Sequence, residues 1–199
     1  LEEAEDLSHH FSEKFSEFYR NVLPLWEAGE AKRPKMIEDL EKARGPQGEQ
    51  KILVLMDGMR WDLWEYLKEN FFTSMADQFR IAQEGALWAR LPSTTPRQME
   101  FFDGEEGIWK MAGIDERGHT EKGNLEYLFR NILQFLQLDL ALRLRKLPAG
   151  TQILFFSDHG FTENPNFEKS DKYRTSRYAH GEASPFEIIV PWAWVSKIR

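Results

Sequence analysis

The sequence predicts an α/β fold, a mostly parallel sheet sandwiched by helices with a helical segment at its N-terminus. Three observations predict it. Residues 51–56 and 151–157 are short apolar runs, the pattern of strands buried on both faces. Residues 124–147 between them carry apolar side chains at helical spacing. Both runs end abruptly at polar, Gly-containing segments, Asp57-Gly58 and Asp158-His159-Gly160. Ligands of open parallel sheets bind beyond such carboxyl ends.

In chain order, residues 3–23 read as a helix, with Leu7, Phe11, Phe15, Phe18 and Val22 as its apolar stripe and Pro24 as its stop. A second helix is expected over 34–44, with Pro34 in its first turn. Gly45-Pro46-Gln47-Gly48 is a loop and the natural boundary. It divides the chain into a lead-in or connector, 1–46, and a core, 47–199. After the strand at 51–56, residues 61–70 look helical. A second strand is expected at 86–90, and a helix after Thr95, where Pro96 suits a first turn. Residues 103–118 are Gly-rich and acidic, with 108–114 a candidate short strand. The 124–147 helix lines up Leu125, Phe129, Ile132, Leu136 and Leu140, and Pro148-Ala149-Gly150 ends it. Residues 160–184 read as loop, and 187–195 as a last strand that Pro191 marks as an edge or a bulge.

With 199 residues, 41% hydrophobic and 30% charged, the chain has the composition of one ordinary globular domain. It contains no Cys, which excludes disulfides and thiol chemistry, so a metal must be bound by His, Asp, Glu or hydroxyl groups. A net charge of −7 argues against broad non-specific DNA binding. No apolar stretch reaches the length of a membrane span and the acidic N-terminus has no signal-peptide pattern, so a cytoplasmic protein without membrane contact is expected. Starting at Leu1 is what a piece of a longer protein would show.

The candidate chemistry lies in oxygen and nitrogen ligands. Asp57, Asp158 and His159 supply two carboxylates and an imidazole, and the Thr95 hydroxyl can complete a four-coordinate site for zinc or a similar ion. Asp115 and His119, four positions apart, can form a second site with His180. His9 and His10 read as polar positions of the first helix. Lys169, Lys172, Arg174 and Arg177 form a basic stretch ahead of His180, suited to solvent or to an anionic substrate.

Together, Met56-Asp57-Gly58-Met59-Arg60-Trp61-Asp62-Leu63-Trp64, Leu91-Pro92-Ser93-Thr94-Thr95, Phe156-Ser157-Asp158-His159-Gly160-Phe161 and Arg177-Tyr178-Ala179-His180-Gly181 resemble the ligand order of the alkaline phosphatase superfamily. In detail they are more similar to the PglZ domain of bacterial phage-defence (BREX) systems and of some two-component regulators. The resemblance spans about residues 51–195. It implies an alkaline-phosphatase-like core with two divalent metal ions, zinc or manganese. One would be held by Asp57, Thr95, Asp158 and His159, the other by Asp115, His119 and His180. It implies a hydroxyl nucleophile, Thr95 by its spacing from Pro92, with Thr94 as the alternative. It also implies phosphodiester substrates, nucleic acid or nucleotides, and other defence-system proteins as partners. The segment before Asp115 departs from the superfamily in lacking a clear apolar strand, and the chain is short for it. Arg60, Arg174 and Arg177 are planar donors able to hold phosphoryl oxygens in pairs. The competing expectation is a non-catalytic module of the same fold serving a larger defence or signalling complex. A nucleotide-binding fold is disfavoured, since neither a Walker A sequence nor Gly-x-Gly-x-x-Gly is present.

Overall fold

The computed structural model describes residues 2–40, 50–100, 107–164, 167 and 176–199, with side chains from residue 10 onward. The two apolar runs form β1 (Lys51–Leu55) and β4 (Gln152–Phe156). They pair in parallel, from Lys51 opposite Gln152 to Leu55 opposite Phe156. The short β3 (Trp109–Lys110) pairs in parallel on the other side of β1, with Lys110 opposite Leu55. On the far side of β4, β7 (Ile189–Lys197) runs antiparallel both to β4 and to β2 (Phe79–Trp88). The sheet order is β2-β7-β4-β1-β3.

The architecture is therefore α/β with a mixed five-stranded sheet. The parallel pairing expected for most of it is confined to β3-β1-β4, and the longest ladder is antiparallel. An apolar run encodes burial on both faces but not direction, which the neighbouring ladders set. Pro191 sits inside a central strand, not at an edge. Its carbonyl accepts from Ser157 N, and the last β4–β7 pair is Phe156 with Trp192. The N and C=O of one strand residue face the same side. The missing N–H of Pro191 thus points where β4 has already ended, and no ladder bond is lost.

Helices cover one sheet face. They are α2 (Trp61–Leu67), α5 (Leu125–Leu138) and α6 (Leu140–Arg145). Leu63, Trp64, Leu67, Leu128, Ile132, Leu136 and Leu144 pack there against Ile52, Val54, Ile153 and Phe155. The helix expected over 124–147 is real but breaks at Asp139, which starts α6. Asn124 caps its start by accepting from Tyr127 N. Against the other face pack Ile37 and Leu40, at a 3-10 turn (Ile37–Asp39), so the helical sandwich is not complete among the described residues. The helix expected over 34–44 reduces there to that turn, and 41–44 lie outside the described residues.

The first helix, α1 (Glu2–Glu27), runs through Pro24. Leu23 and Trp26 are buried with Tyr19 against Met36, Ala183, Ile188 and Trp88, which holds the last turn despite the lost N–H. Its buried face is rotated from the expected stripe, leaving Phe11 and Phe18 half exposed or more. The described part of the lead-in thus packs on the core. Further departures are local. The second strand is longer than 86–90, because its polar residues belong to an exposed sheet edge. The 108–114 segment gives β3 and then α4 (Gly113–Thr120). Within 160–184 a small hairpin forms from β5 (Thr162–Glu163) and β6 (Tyr178–Ala179). A single turn, α7 (Pro185–Ile188), precedes β7. No helix among the described residues is long and apolar enough to cross a membrane.

Candidate metal centre

Register builds the first half of the site. Two residues beyond the paired Leu55 and Phe156, each strand delivers an aspartate, Asp57 and Asp158. Both are buried, and His159 beside them is fully buried. His159 Nε2 lies 3.5 Å from Asp57 Oδ1 and 3.6 Å from Asp158 Oδ2. Thr95, the first residue of α3 (Thr95–Met99), donates its hydroxyl to Asp57 Oδ1 at 2.9 Å and lies 3.3 Å from His159 Nε2. Thr94 instead serves as the backbone N-cap of α3. Of the two threonines, Thr95 is the one that meets the cluster.

The second half comes from α4 and the loop after β6. Asp115 Oδ2 is 3.4 Å from His119 Nε2, and Asp115 Oδ1 is 3.5 Å from His180 Nε2. The two Nε2 atoms approach to 3.2 Å. His180 also stacks on His159 with ring centroids 4.0 Å apart, so the two halves touch. Among the described residues, the compact sets able to hold an ion are Asp57, Asp158, His159 and Asp115, His159, His180, with His159 common to both. The expected grouping placed His119 in the second set; it adjoins that set through His180 and Asp115. Gly58 permits the join. It has φ +79, and a β carbon on it would lie 3.2 Å from Asp115 Cβ.

Two histidines are oriented for ligation. Nδ1 of His159 meets the Gly160 carbonyl at 2.9 Å, and Nδ1 of His180 meets the Ser93 carbonyl at 3.1 Å. A carbonyl only accepts, so each Nδ1 carries the proton and each Nε2 faces the cluster as a ligand atom. Asp158 Oδ1 accepts from Gly58 N and His159 N, while its buried Oδ2 has no hydrogen-bond partner. An orphaned carboxylate oxygen is costly in a core and suits a cation.

The electrostatics agree. Burial raises the Asp158 carboxyl, against the pull of His159. For Asp57, burial acts upward, but hydrogen bonds with His159 and Lys110 outweigh it and bring the carboxyl down to about 2. His159 is disfavoured as a cation by burial, yet Asp158 and Asp57 raise it to about 9. The Asp115 hydrogen bond raises His119, whereas burial and then the charge of His159 lower His180. Two buried carboxylates therefore draw positive charge into this pocket, and the O and N donors are of the kind that can hold a metal ion.

Among the arginines expected to hold substrate, Arg60 and Arg177 are engaged elsewhere. Arg60 is buried, pairs with Asp62 at 2.6 Å, donates to the Phe161 carbonyl and lies over the Phe186 ring. Arg177 pairs with Glu163 and donates to the Lys122 carbonyl. Arg174, Lys169 and Lys172 lie outside the described residues. Among the described residues, the lysine or arginine at the cluster is Lys110, whose Nζ is 2.8 Å from Asp57 Oδ2 and whose side chain is half exposed. Sequence reasoning missed it because a two-residue strand leaves no apolar run to point at it.

Glu187 and Ser93 were missed as well. Glu187 is fully buried, and its Oε2 accepts from Ser93 Oγ, Gly181 N and Glu182 N. Burial raises its carboxyl, against these three donors. A lone acid within the apolar stretch Ala183 to Trp194 was the available signal. No known protein family matches this chain, and no curated protein matches it. The fold and site define an α/β protein with Asp/His clusters that can bind a metal ion.

Proposed function

We propose that this chain is a metal-dependent hydrolase of phosphate esters, a PglZ-type member of the alkaline phosphatase superfamily acting on phosphodiesters of nucleic acid or nucleotides in a phage-defence setting. The observation that carries the reading is the hydroxyl of Thr95, set between Asp57 and His159 at the junction of two Asp/His groups. The motif order and the parallel β3-β1-β4 half-sheet support the superfamily assignment.

In this reading Asp57, Asp158, His159 and Thr95 would hold one ion, and Asp115, His180 and His119 a second, with His159 bordering both. Bound there, zinc or manganese would supply Lewis acidity, stabilising charge on phosphoryl oxygens and lowering the pKa of the hydroxyl. Thr95 Oγ attacks phosphorus and its proton passes to solvent, while Asp57 Oδ1, which already accepts its hydrogen bond, holds the oxygen in place. The bond from phosphorus to the departing ester oxygen breaks, and the alcohol leaves after taking a proton from solvent. Water then cleaves the Thr95–phosphorus bond, releasing the monoester and restoring the hydroxyl. Lys110, not Arg60 or Arg177, contacts the substrate anion.

The test is Thr95→Ala beside Thr94→Ala, assayed on bis(p-nitrophenyl) phosphate with zinc or manganese. T95A should lose at least about 1,000-fold in kcat, in line with removal of a nucleophile, and T94A should stay within about threefold of the parent. Wild-type turnover that survives in T95A defeats the nucleophile. A wild-type protein that takes up no ion supports the non-catalytic module instead.

A further inference from the structure

Glu187 is a buried acid that the chemistry above does not use. A fully buried carboxylate has a desolvation cost that several good hydrogen bonds must offset. Its bonds are not scattered. Oε2 accepts from Ser93 Oγ at 2.7 Å and from Gly181 N and Glu182 N at 2.8 Å each. Its backbone carbonyl accepts from Gly160 N at 2.9 Å. Ser93 lies two residues before Thr95, Gly181 follows His180, and Gly160 follows His159. One residue thus ties together three segments that each carry a candidate site residue.

The ties reach the site through short paths. The Ser93 carbonyl accepts a hydrogen bond from His180 Nδ1–H, and Ser93 Oγ accepts one from Gly181 N at 2.9 Å. Gly160 leaves no slack, because a β carbon there would lie 1.9 Å from the Phe186 carbonyl oxygen. The turn that carries Glu187 is therefore pressed against the strand end that carries His159.

We infer that Glu187 is a positioning residue: it clamps Ser93 to the His180–Gly181 turn, so that the His180 Nε2 and Thr95 Oγ1 atoms keep one geometry relative to His159. This rests on reading the Asp/His cluster as a metal-dependent hydrolase. An apolar residue of similar size could fill the volume of Glu187, but it could not gather those three donors.

The test compares wild type, Glu187→Met and Ser93→Ala; Met fills the volume but has no oxygen to accept the three donors. Three readouts are taken: the melting curve, zinc binding by competition with a chromogenic chelator, and the imidazole ¹H–¹⁵N spectrum of His180. Second-layer partners of metal ligands change affinity or activity about 10–100-fold when removed. E187M should lose about that factor for the more weakly held ion, keep the tighter one, and lower kcat with KM nearly unchanged. The His180 Nδ1–H signal should weaken or vanish. S93A should repeat these effects, and the double variant should be no worse than E187M, because both break one path.

A folded E187M with wild-type affinity for both ions and an unchanged His180 signal overturns the inference. So does an equal loss of both ions, which marks a merely structural acid. If E187M does not fold, S93A decides: an unaltered second ion and an unaltered His180 signal overturn the inference. If wild type binds no ion, the hydrolase reading fails, and the His180 signal still reports whether Glu187 positions that ring.

Discussion

Replacing Asp158 by Asn separates a ligand from a structural carboxylate. The side chain is fully buried, and Oδ1 already accepts two backbone N–H groups. The Asn carbonyl can keep both, while its NH2 takes the place of the unpartnered Oδ2. Of the two buried aspartates, Asp158 is the less compensated. Asp57 meets both His159 and Lys110 within ion-pair distance, whereas among the described residues Asp158 meets His159 alone, at 3.6 Å. In chelator, D158N should stay within about 1 kcal/mol of wild type, because lost attraction and relieved desolvation nearly cancel. With ion at about 100 times its dissociation constant, wild type gains about 2.7 kcal/mol. At about 2–4 °C per kcal/mol for a chain of this size, Tm rises roughly 5–10 °C. Loss of a direct ligand at the upper end of the second-layer range, about 100-fold, brings the variant to half saturation. Its gain then falls to about 0.4 kcal/mol, a shift of roughly 1–2 °C. The assay is calorimetry in EDTA and in a zinc or manganese series. An equal ion-induced shift in D158N and wild type would falsify the ligand assignment.

Lys110→Ala should raise KM for a phosphodiester about 10-fold and weaken its salt dependence, with Tm nearly unchanged; steady-state kinetics at two ionic strengths check this. Chelated protein should lose stability between pH 6.5 and pH 9. His159 is raised to about 9 when folded, so the stability it contributes is fully present below its unfolded value near 6.5 and disappears as pH climbs through the folded value. The difference is worth up to about 3 kcal/mol. Urea unfolding at both pH values should show the fall, and His159→Gln should flatten it. Trp26→Ala should cost about 3–5 kcal/mol, since Trp26 of α1 is buried against Trp88 of β2. A melting temperature within 2–4 °C of the parent would instead mark α1 as a loose lead-in.

The sequence by itself determined the buried strands and the residue types waiting at their ends. β1 and β4 were legible because strands covered on both faces must be apolar throughout, and the sharp change at Asp57 and Asp158 marks where that cover ends. The long helical pattern of α5 was legible for a similar reason, since a one-sided stripe repeats at the helical period. Tertiary structure alone decided three things. Strand direction was one, because β7 reads as apolar whichever way it runs. Another was which cation reaches the cluster. Arg60 and Lys110 are both basic in the sequence, yet Asp62 occupies the first and the second reaches Asp57. The last was the role of Glu187, whose partners lie far from it in the chain or across a turn. Periodicity records what each residue must be buried from. It holds no record of distance between residues remote in sequence, and a site consists of such distances.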